Sequence, residues 1–220
     1  MKFMISMIFL AVLAAPSAFG REEPIKLYKE FVFGMGYDEV RHKAGVQDAT
    51  TLGIPSVLLY REGEEFGGEK WTQLFEFHNN SLISVILASE KIESYQPAVL
   101  TIAHSGFTLD EMTSLTNSLD CLTLATQTDQ STLIKRIEEF EKTALEEGYL
   151  ELLYVDNSSI SKILPYILDK KTQNEILENV PPNTRMINVI VTTDEETGLP
   201  RIVIGFATPV HAIGIYREDF

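Results

Sequence analysis

The chain has 220 residues, of which 45% are hydrophobic, and it carries a formal net charge of −14. A surface this acidic repels nucleic-acid phosphates and anionic lipid headgroups, so neither nucleic acid nor a membrane surface is an expected partner. The length and the hydrophobic content allow one large domain or two small ones.

The first 20 residues, Met1 to Gly20, have the pattern of an export signal. Lys2 supplies a positive start, residues 3–15 are almost all apolar, and small residues end the segment before Arg21. This apolar core is short for a membrane span, which needs about 20 residues, so a cleaved signal is favoured over an anchor. We expect a periplasmic or secreted protein whose residues 21–220 carry 17 Lys and Arg against 32 Asp and Glu, a charge of −15.

Cys121 is the only cysteine, so an intramolecular disulfide cannot form. A bacterial lipid anchor would need a cysteine directly after the signal, and no second long apolar run is present, so no membrane anchor is expected. Cys121 lies in the apolar stretch 119–124, which favours a buried small side chain over a reactive thiol.

The first half of the chain reads as a helix pair followed by strands. Asn79 and Asn80 lie between two apolar, β-compatible runs, and because asparagine tolerates positive φ they predict a hairpin turn. The elements expected here are a helix over 37–44 that ends at Gly45, a strand over 57–60, a glycine-rich turn over 62–68, and hairpin strands over 71–77 and 82–87.

The second half adds more helices and a final hairpin. Thr108 and Glu111 have the capping-box spacing of a helix start. A stronger helix has an apolar stripe that ends at Gly148, formed by Leu133, Ile134, Ile137, Phe140, Ala144 and Leu145. Its solvent side is assigned to Glu138, Glu139, Glu141 and Lys142. A strand over 149–155, a helix over 160–168 that contains Pro165, and hairpin strands over 186–193 and 202–207 follow. This alternation predicts an α+β fold of short helix pairs packed on antiparallel sheets.

The two halves show a short internal similarity. Residues 34–40 can be aligned with 106–112, with shared Gly, Asp and Glu. One interpretation is a degenerate tandem repeat; the other is that two helix starts look alike because capping chemistry is limited. The expected organisation is a signal peptide at 1–20 and two sub-domains at 21–95 and 96–220.

Residues 31–87 resemble the SmpA/OmlA-like outer-membrane assembly proteins. The resemblance rests on the segment from Gly34 to Gly45, in which a Gly-Met turn opens a helix and Val40 packs inward, and on the Phe-x-Phe strand of residues 74–82. It implies a helix pair on a sheet. The chain lacks the lipid-anchoring cysteine of that family, and a proline that commonly follows the second glycine is replaced by Val46-Gln47. A tandem arrangement would resemble the β-lactamase inhibitor proteins, which pair two such units to bind a protein.

Motifs for catalysis and metal binding are absent from the sequence. It has no Gly-x-Ser-x-Gly, His-Glu-x-x-His or Cys-x-x-Cys, and its four histidines, His42, His78, His104 and His211, are scattered. His104-Ser105 is better read as part of a turn than as a catalytic fragment. The acidic runs 62–65 and 194–196 lack calcium-loop spacing and are interpreted as solvated loops. No catalytic, cofactor-binding or metal-binding residue is assigned, and no cofactor is expected.

The favoured function is therefore a non-catalytic, exported protein that binds an envelope protein or peptide through a sheet surface or a strand edge. The alternatives are a cell-envelope hydrolase with a dispersed active site, and a small-ligand carrier. The expected core residues are Val40, Trp71, Phe75, Phe77, Ile137, Phe140 and Val189. Trp71 has a second interpretation as an exposed anchor for a partner.

Overall fold

A computed structural model describes residues 24–48, 59–168, 180–181, 183–194 and 197–209. The strands of these residues are β1 (Lys26–Tyr28), β2 (Phe31–Val32), β3 (Gln47–Asp48), β4 (Leu59–Phe66), β5 (Glu69–His78), β6 (Ser81–Ser89), β7 (Phe107–Ser114), β8 (Ser118–Asp120), β9 (Tyr149–Asp156), β10 (Met186–Thr193) and β11 (Pro200–Ala207). The helices are α1 (Tyr37–Arg41), α2 (Tyr95–His104), α3 (Cys121–Gln127), α4 (Gln130–Glu147) and α5 (Asn157–Leu168).

Nine of these strands form one antiparallel sheet in the order β3-β4-β5-β6-β11-β10-β9-β7-β8, and β1 and β2 form a separate ribbon. The expected α+β class is confirmed. The two sub-domains 21–95 and 96–220 are not confirmed, because β6 of the first half pairs with β11 of the second over residues 85–89 and 202–206. One continuous core cluster also includes residues of both halves.

One face of the sheet, here the inner face, is buried under helices and the β1–β2 ribbon. Helix α4 packs on β7 and β9, α2 and α3 pack on β7, and β1 contacts β6 and β11. Of the expected core residues, Val40, Trp71, Phe75, Ile137 and Val189 are buried. Phe77 and Phe140 are only partly buried and pack against the cluster.

Two local predictions are confirmed in detail. Asn79 and Asn80 have φ values of 49° and 65°, the left-handed pair that a two-residue hairpin turn requires, and they join β5 to β6. Gly148 ends α4 at φ 85°. The strand over 149–155 and the final hairpin also form as expected.

The helix start expected at Thr108 is wrong. Residues 107–114 form β7, which pairs with β9, and the Thr108 hydroxyl donates to Asn157 Oδ1 at 2.5 Å instead of capping a helix. Residues 34–40 form a turn and the start of α1, so aligning them with 106–112 pairs a helix with a strand. The internal repeat is therefore not confirmed.

Three further expectations need correction. Of the expected helix pair, the described part of 21–95 shows the five-residue α1 and the first residue of α2. The turn expected over 62–68 is confined to Gly67 and Gly68, because β4 continues to Phe66. Glu141, assigned to the solvent side of its helix, is buried and accepts a hydrogen bond of 2.5 Å from the Tyr95 hydroxyl.

Among the described helices, none combines the length and the apolar character that a membrane crossing would need.

Trp71 is the only tryptophan, and the structure decides between its two interpretations. Its side chain is 2% exposed, and its indole N–H donates to the Phe66 carbonyl at 2.9 Å. We predict blue-shifted emission and little quenching by acrylamide in the native protein, with a red shift on unfolding in urea. Emission that is as red-shifted and as readily quenched as that of the unfolded chain would show that Trp71 is exposed.

The β5–β6 turn gives a second prediction. Asn80→Val is expected to lower the free energy of unfolding by about 1–2 kcal/mol, because a β-branched residue resists a positive φ. Asn80→Gly is expected to keep it or raise it by about 0.5 kcal/mol, since glycine adopts this conformation without strain. Urea unfolding followed by Trp71 fluorescence measures both, and equal stabilities for the two variants would contradict the turn geometry.

Candidate functional site

The second face of the sheet, here the outer face, carries a row of aliphatic side chains that the described helices leave partly exposed. They lie on five neighbouring strands, and we call them the apolar band: Leu74, Ile86, Val203, Ile190 and Leu153. None of them belongs to either buried core cluster. Since neighbouring strands lie about 4.8 Å apart, the band is about 20 Å long.

The register of the strands places the band on one surface. Leu74 is paired with Ile86, and Ile86 with Gly205. Val203 is paired with Ile190. Side chains alternate between faces along a strand, so the buried residues beside them, such as Phe75 and Ile204, point to the inner face.

Helix α5 covers a different part of the outer face. Its Ile163 packs in a small buried cluster with Val155 of β9 and Leu122 of α3. Both Val155 and Leu153 have side chains on the outer face, but only Val155 is buried. Within the described residues, the apolar band therefore begins beside the part of β9 that α5 covers.

Three carboxyl groups lie at the β7 end of the band, and we call them the acidic corner: Asp110, Glu111 and Asp120. Glu111 is paired with Leu153 on one side and with Asp120 on the other. Asp110 is the extra residue at an irregularity in β7, between Leu109 and Glu111. The corner thus adjoins the last residue of the band.

The electrostatics of the corner are unfavourable for ionised carboxylates. Burial, followed by the charges of Asp120 and Glu111, raises the pKa of Asp110 to about 7. Burial also raises the pKa of Glu111, with Asp120 and Glu151 adding to it and a hydrogen bond with Ser118 opposing it. Asp120 is held by α3, whose Thr123 N–H donates to it at 2.7 Å.

Further polar groups adjoin the band, and one of them is basic: Arg201 lies two residues from Val203 on β11 and pairs with Asp194 at 3.1 Å. Glu151 of β9 accepts hydrogen bonds from Asn188 Nδ2 at 2.7 Å and from the Tyr149 hydroxyl at 2.8 Å. At the β5 end, Glu76 lies two residues from Leu74, and burial raises its pKa. Carboxyl groups therefore lie at both ends of the apolar band.

Two acids elsewhere in the fold, Glu64 and Asp156, have basic partners, whereas the buried Glu141 has the Tyr95 hydroxyl. Burial would raise the pKa of Glu64, but hydrogen bonds from Lys29 and Tyr28 and the Arg61 guanidinium hold it below its usual range. Asp156 accepts from Arg185 Nε at 2.7 Å, and its pKa is likewise lowered against the effect of burial. Glu64, expected in a solvated loop, is in fact a buried anchor between β4 and the β1–β2 ribbon.

The structure does not bring the catalytic candidates together within the described residues. His104 ends α2, and the hydroxyl of the adjacent Ser105 donates to the Thr101 carbonyl at 2.7 Å. His78 ends β5, and His42 Nδ1 lies 2.5 Å from the Asp38 carbonyl oxygen. His211 lies outside the described residues.

Cys121 and the acidic runs also have structural explanations. Cys121 is buried, and burial raises the pKa of its thiol to about 12, as expected for an unreactive side chain. Asp194 accepts from the Thr197 N–H at 2.9 Å and from Arg201 at 3.1 Å. Across the described part of the chain, no group of three His, Cys, Asp or Glu residues could hold a metal ion.

A surface groove of about 410 Å³ lies between α4 and the β7–β8 turn, and its lining includes Ser114, Ser118, Arg136, Phe140 and Thr143. A small-ligand carrier would need such a space.

No family model, curated protein or solved structure matches the chain, so the SmpA/OmlA-like resemblance stays a prediction.

The acidic corner yields a prediction about stability and pH. A raised pKa in the folded state means that ionising Asp110 costs more in the folded protein than in the unfolded chain. Stability from this group is therefore lost as pH rises from about 4 to about 7, between its ordinary pKa of 3.8 and its raised pKa of about 7.

Asp110→Asn removes this titration. At about pH 8 the variant is expected to be more stable than the native sequence by up to about 4 kcal/mol, and below about pH 4 the difference disappears. Urea unfolding at a series of pH values tests this, with the exposed Glu139→Gln as the control whose pH profile stays native. A constant difference at all pH values would show that burial does not perturb Asp110.

Proposed function

We propose that the protein works outside the cytoplasm after loss of residues 1–20, and that it binds an envelope protein or peptide through the outer face of its sheet. The observation that carries the proposal is the apolar band, five partly exposed aliphatic side chains on adjacent strands. Scattered exposed apolar residues are ordinary, whereas a staggered group on five neighbouring strands favours an interaction site.

The face is a better binding surface than the edges of the sheet. The edge strands β3 and β8 have two and three residues. Strand addition gains its affinity from consecutive backbone hydrogen bonds, and these two strands provide few. Beyond β3 the edge of the described sheet continues as residues 61–66 of β4. An irregularity follows Arg61 there, and the Glu65 carbonyl already accepts from the Tyr28 hydroxyl and from Lys29 Nζ. The outer face offers instead an apolar surface with polar groups around it, which is the usual composition of a protein interface.

The test is site-specific photocrosslinking in cells of the source organism. A photoreactive phenylalanine analogue at Val203, in the middle of the band, is expected to give discrete adducts with an envelope protein. The same analogue at Lys142, on the exposed side of α4, is the control and is expected to give background only. Native Trp71 emission shows that each variant is folded.

A second substitution connects the adducts to the band. Ile190 is paired with Val203, and Ile190→Asp adds a charge to the band. It is expected to abolish the adducts at position 203 while leaving Trp71 emission native. Identical adduct patterns at positions 203 and 142, or no adducts at either, would refute binding through the outer face.

A further inference from the structure

We propose that the partner of the outer face is a cationic polypeptide segment, with an apolar stretch that covers the band and basic side chains that meet the carboxyl groups at its ends. This inference rests on the proposed function and deepens it by naming the chemistry of the partner. It follows from the charges around the band.

Asp110 differs from Glu64 and Asp156 in its charged neighbours, although Glu76 and Glu141 have no basic partner among the described residues either. Glu64 and Asp156 each have an arginine or lysine of this chain in contact. The charges that perturb Asp110 are those of Asp120 and Glu111, both negative, and no ion pair or hydrogen bond of its side chain occurs among the described residues. A cation from outside the chain would provide Asp110 with a partner of opposite charge.

These carboxyl groups lie at the two ends of the apolar band. The corner adjoins Leu153 at one end, and Glu76 lies beside Leu74 at the other. Asp110 lies on β7, which pairs with β8 and β9 and contacts α3. The titratable groups that these elements bring to this region are Glu111, Asp120, the buried Cys121, and Glu151 and Tyr154 of β9. A ligand that covers the apolar band must therefore approach carboxyl groups at both ends.

The charge of the chain argues against three other occupants of the outer face: nucleic acid, an anionic lipid surface and a second copy of the chain. Nucleic acid and anionic lipid surfaces would bring more negative charge to a chain with a net charge of −14. A second copy would bring the same net charge and the same acidic corner. A basic polypeptide has the complementary charge and can also supply the apolar side chains that the band would bury.

A synthetic peptide serves as the probe. It has an apolar stretch of about six residues, which spans about 20 Å when extended, and a lysine pair at each end. Its affinity is measured by fluorescence anisotropy of a label on the peptide. One comparison peptide has glutamate in place of lysine, and another has serine in place of the apolar residues. Both are expected to bind at least about tenfold more weakly.

A matched pair of variants separates specific binding from general attraction to an acidic protein. Asp110→Asn with Glu111→Gln changes the corner, whereas Glu139→Gln with Glu146→Gln removes the same number of carboxyl groups from the exposed side of α4. The corner variant is expected to lose about tenfold in affinity and the control variant less than about twofold. For the native sequence, affinity is expected to increase between about pH 6 and about pH 8 as Asp110 ionises, and the corner variant is expected to lack this increase.

Several outcomes would overturn the inference. Equal losses in the two variants, equal binding of the serine peptide, or tighter binding of the glutamate peptide would each exclude a cationic partner at the corner. A dimer in sedimentation equilibrium that Val203→Asp abolishes would assign the face to a second copy. Adducts from position 203 with a partner whose contact surface is neutral or acidic would leave the proposed function standing and refute this inference alone.

Discussion

The pairing of β6 with β11 is the constraint on which the rest of the structure depends. It joins residues 85–89 to residues 202–206, which lie more than a hundred positions later in the sequence, and it turns two groups of strands into one sheet. Val85 and Leu87 become buried against Phe206 and Ile204 on the inner face. The same ladder brings Ile86 and Val203 into the apolar band. The core and the candidate binding surface are therefore two sides of one long-range pairing.

Among the buried acids that the structure describes, Glu64, Asp156 and Glu141 have partners within the fold. Buried charge is expensive unless it is paired, and Glu64 and Asp156 are paired with basic side chains of the chain itself. Glu141 has the Tyr95 hydroxyl as its partner, and burial raises its pKa. Asp110 departs from this pattern: burial, followed by the charges of Asp120 and Glu111, raises its pKa, and no basic side chain of the described residues opposes them. Since unfavourable electrostatics are retained more often at interaction sites than in structural cores, this exception is what links the charge pattern to binding.

Local patterns predicted the elements whose geometry depends on a few neighbouring residues. The Asn79-Asn80 turn and the end of α4 at Gly148 require left-handed backbone, which few residue types adopt readily. The prediction at Thr108 was wrong for the opposite reason: a capping box is compatible with a helix but does not require one. Pairing with β9 stabilises the same residues as a strand. The burial of Glu141 could not be predicted from local sequence either, because its hydrogen-bond partner Tyr95 lies 46 positions away.

By itself, the sequence determined the acidity of the surface, the α+β class, the hairpins, the long amphipathic helix and the burial of Cys121, since these depend on composition and on local backbone preferences. The tertiary structure decided that both halves share one sheet, that Trp71 is internal, and that Asp110, Glu111 and Asp120 adjoin an apolar band. The alternation of side chains along a strand shows that the strand has two faces, but it does not show which face the helices cover. That depends on which strands become neighbours and where the helices pack, and both are set by contacts between distant parts of the chain.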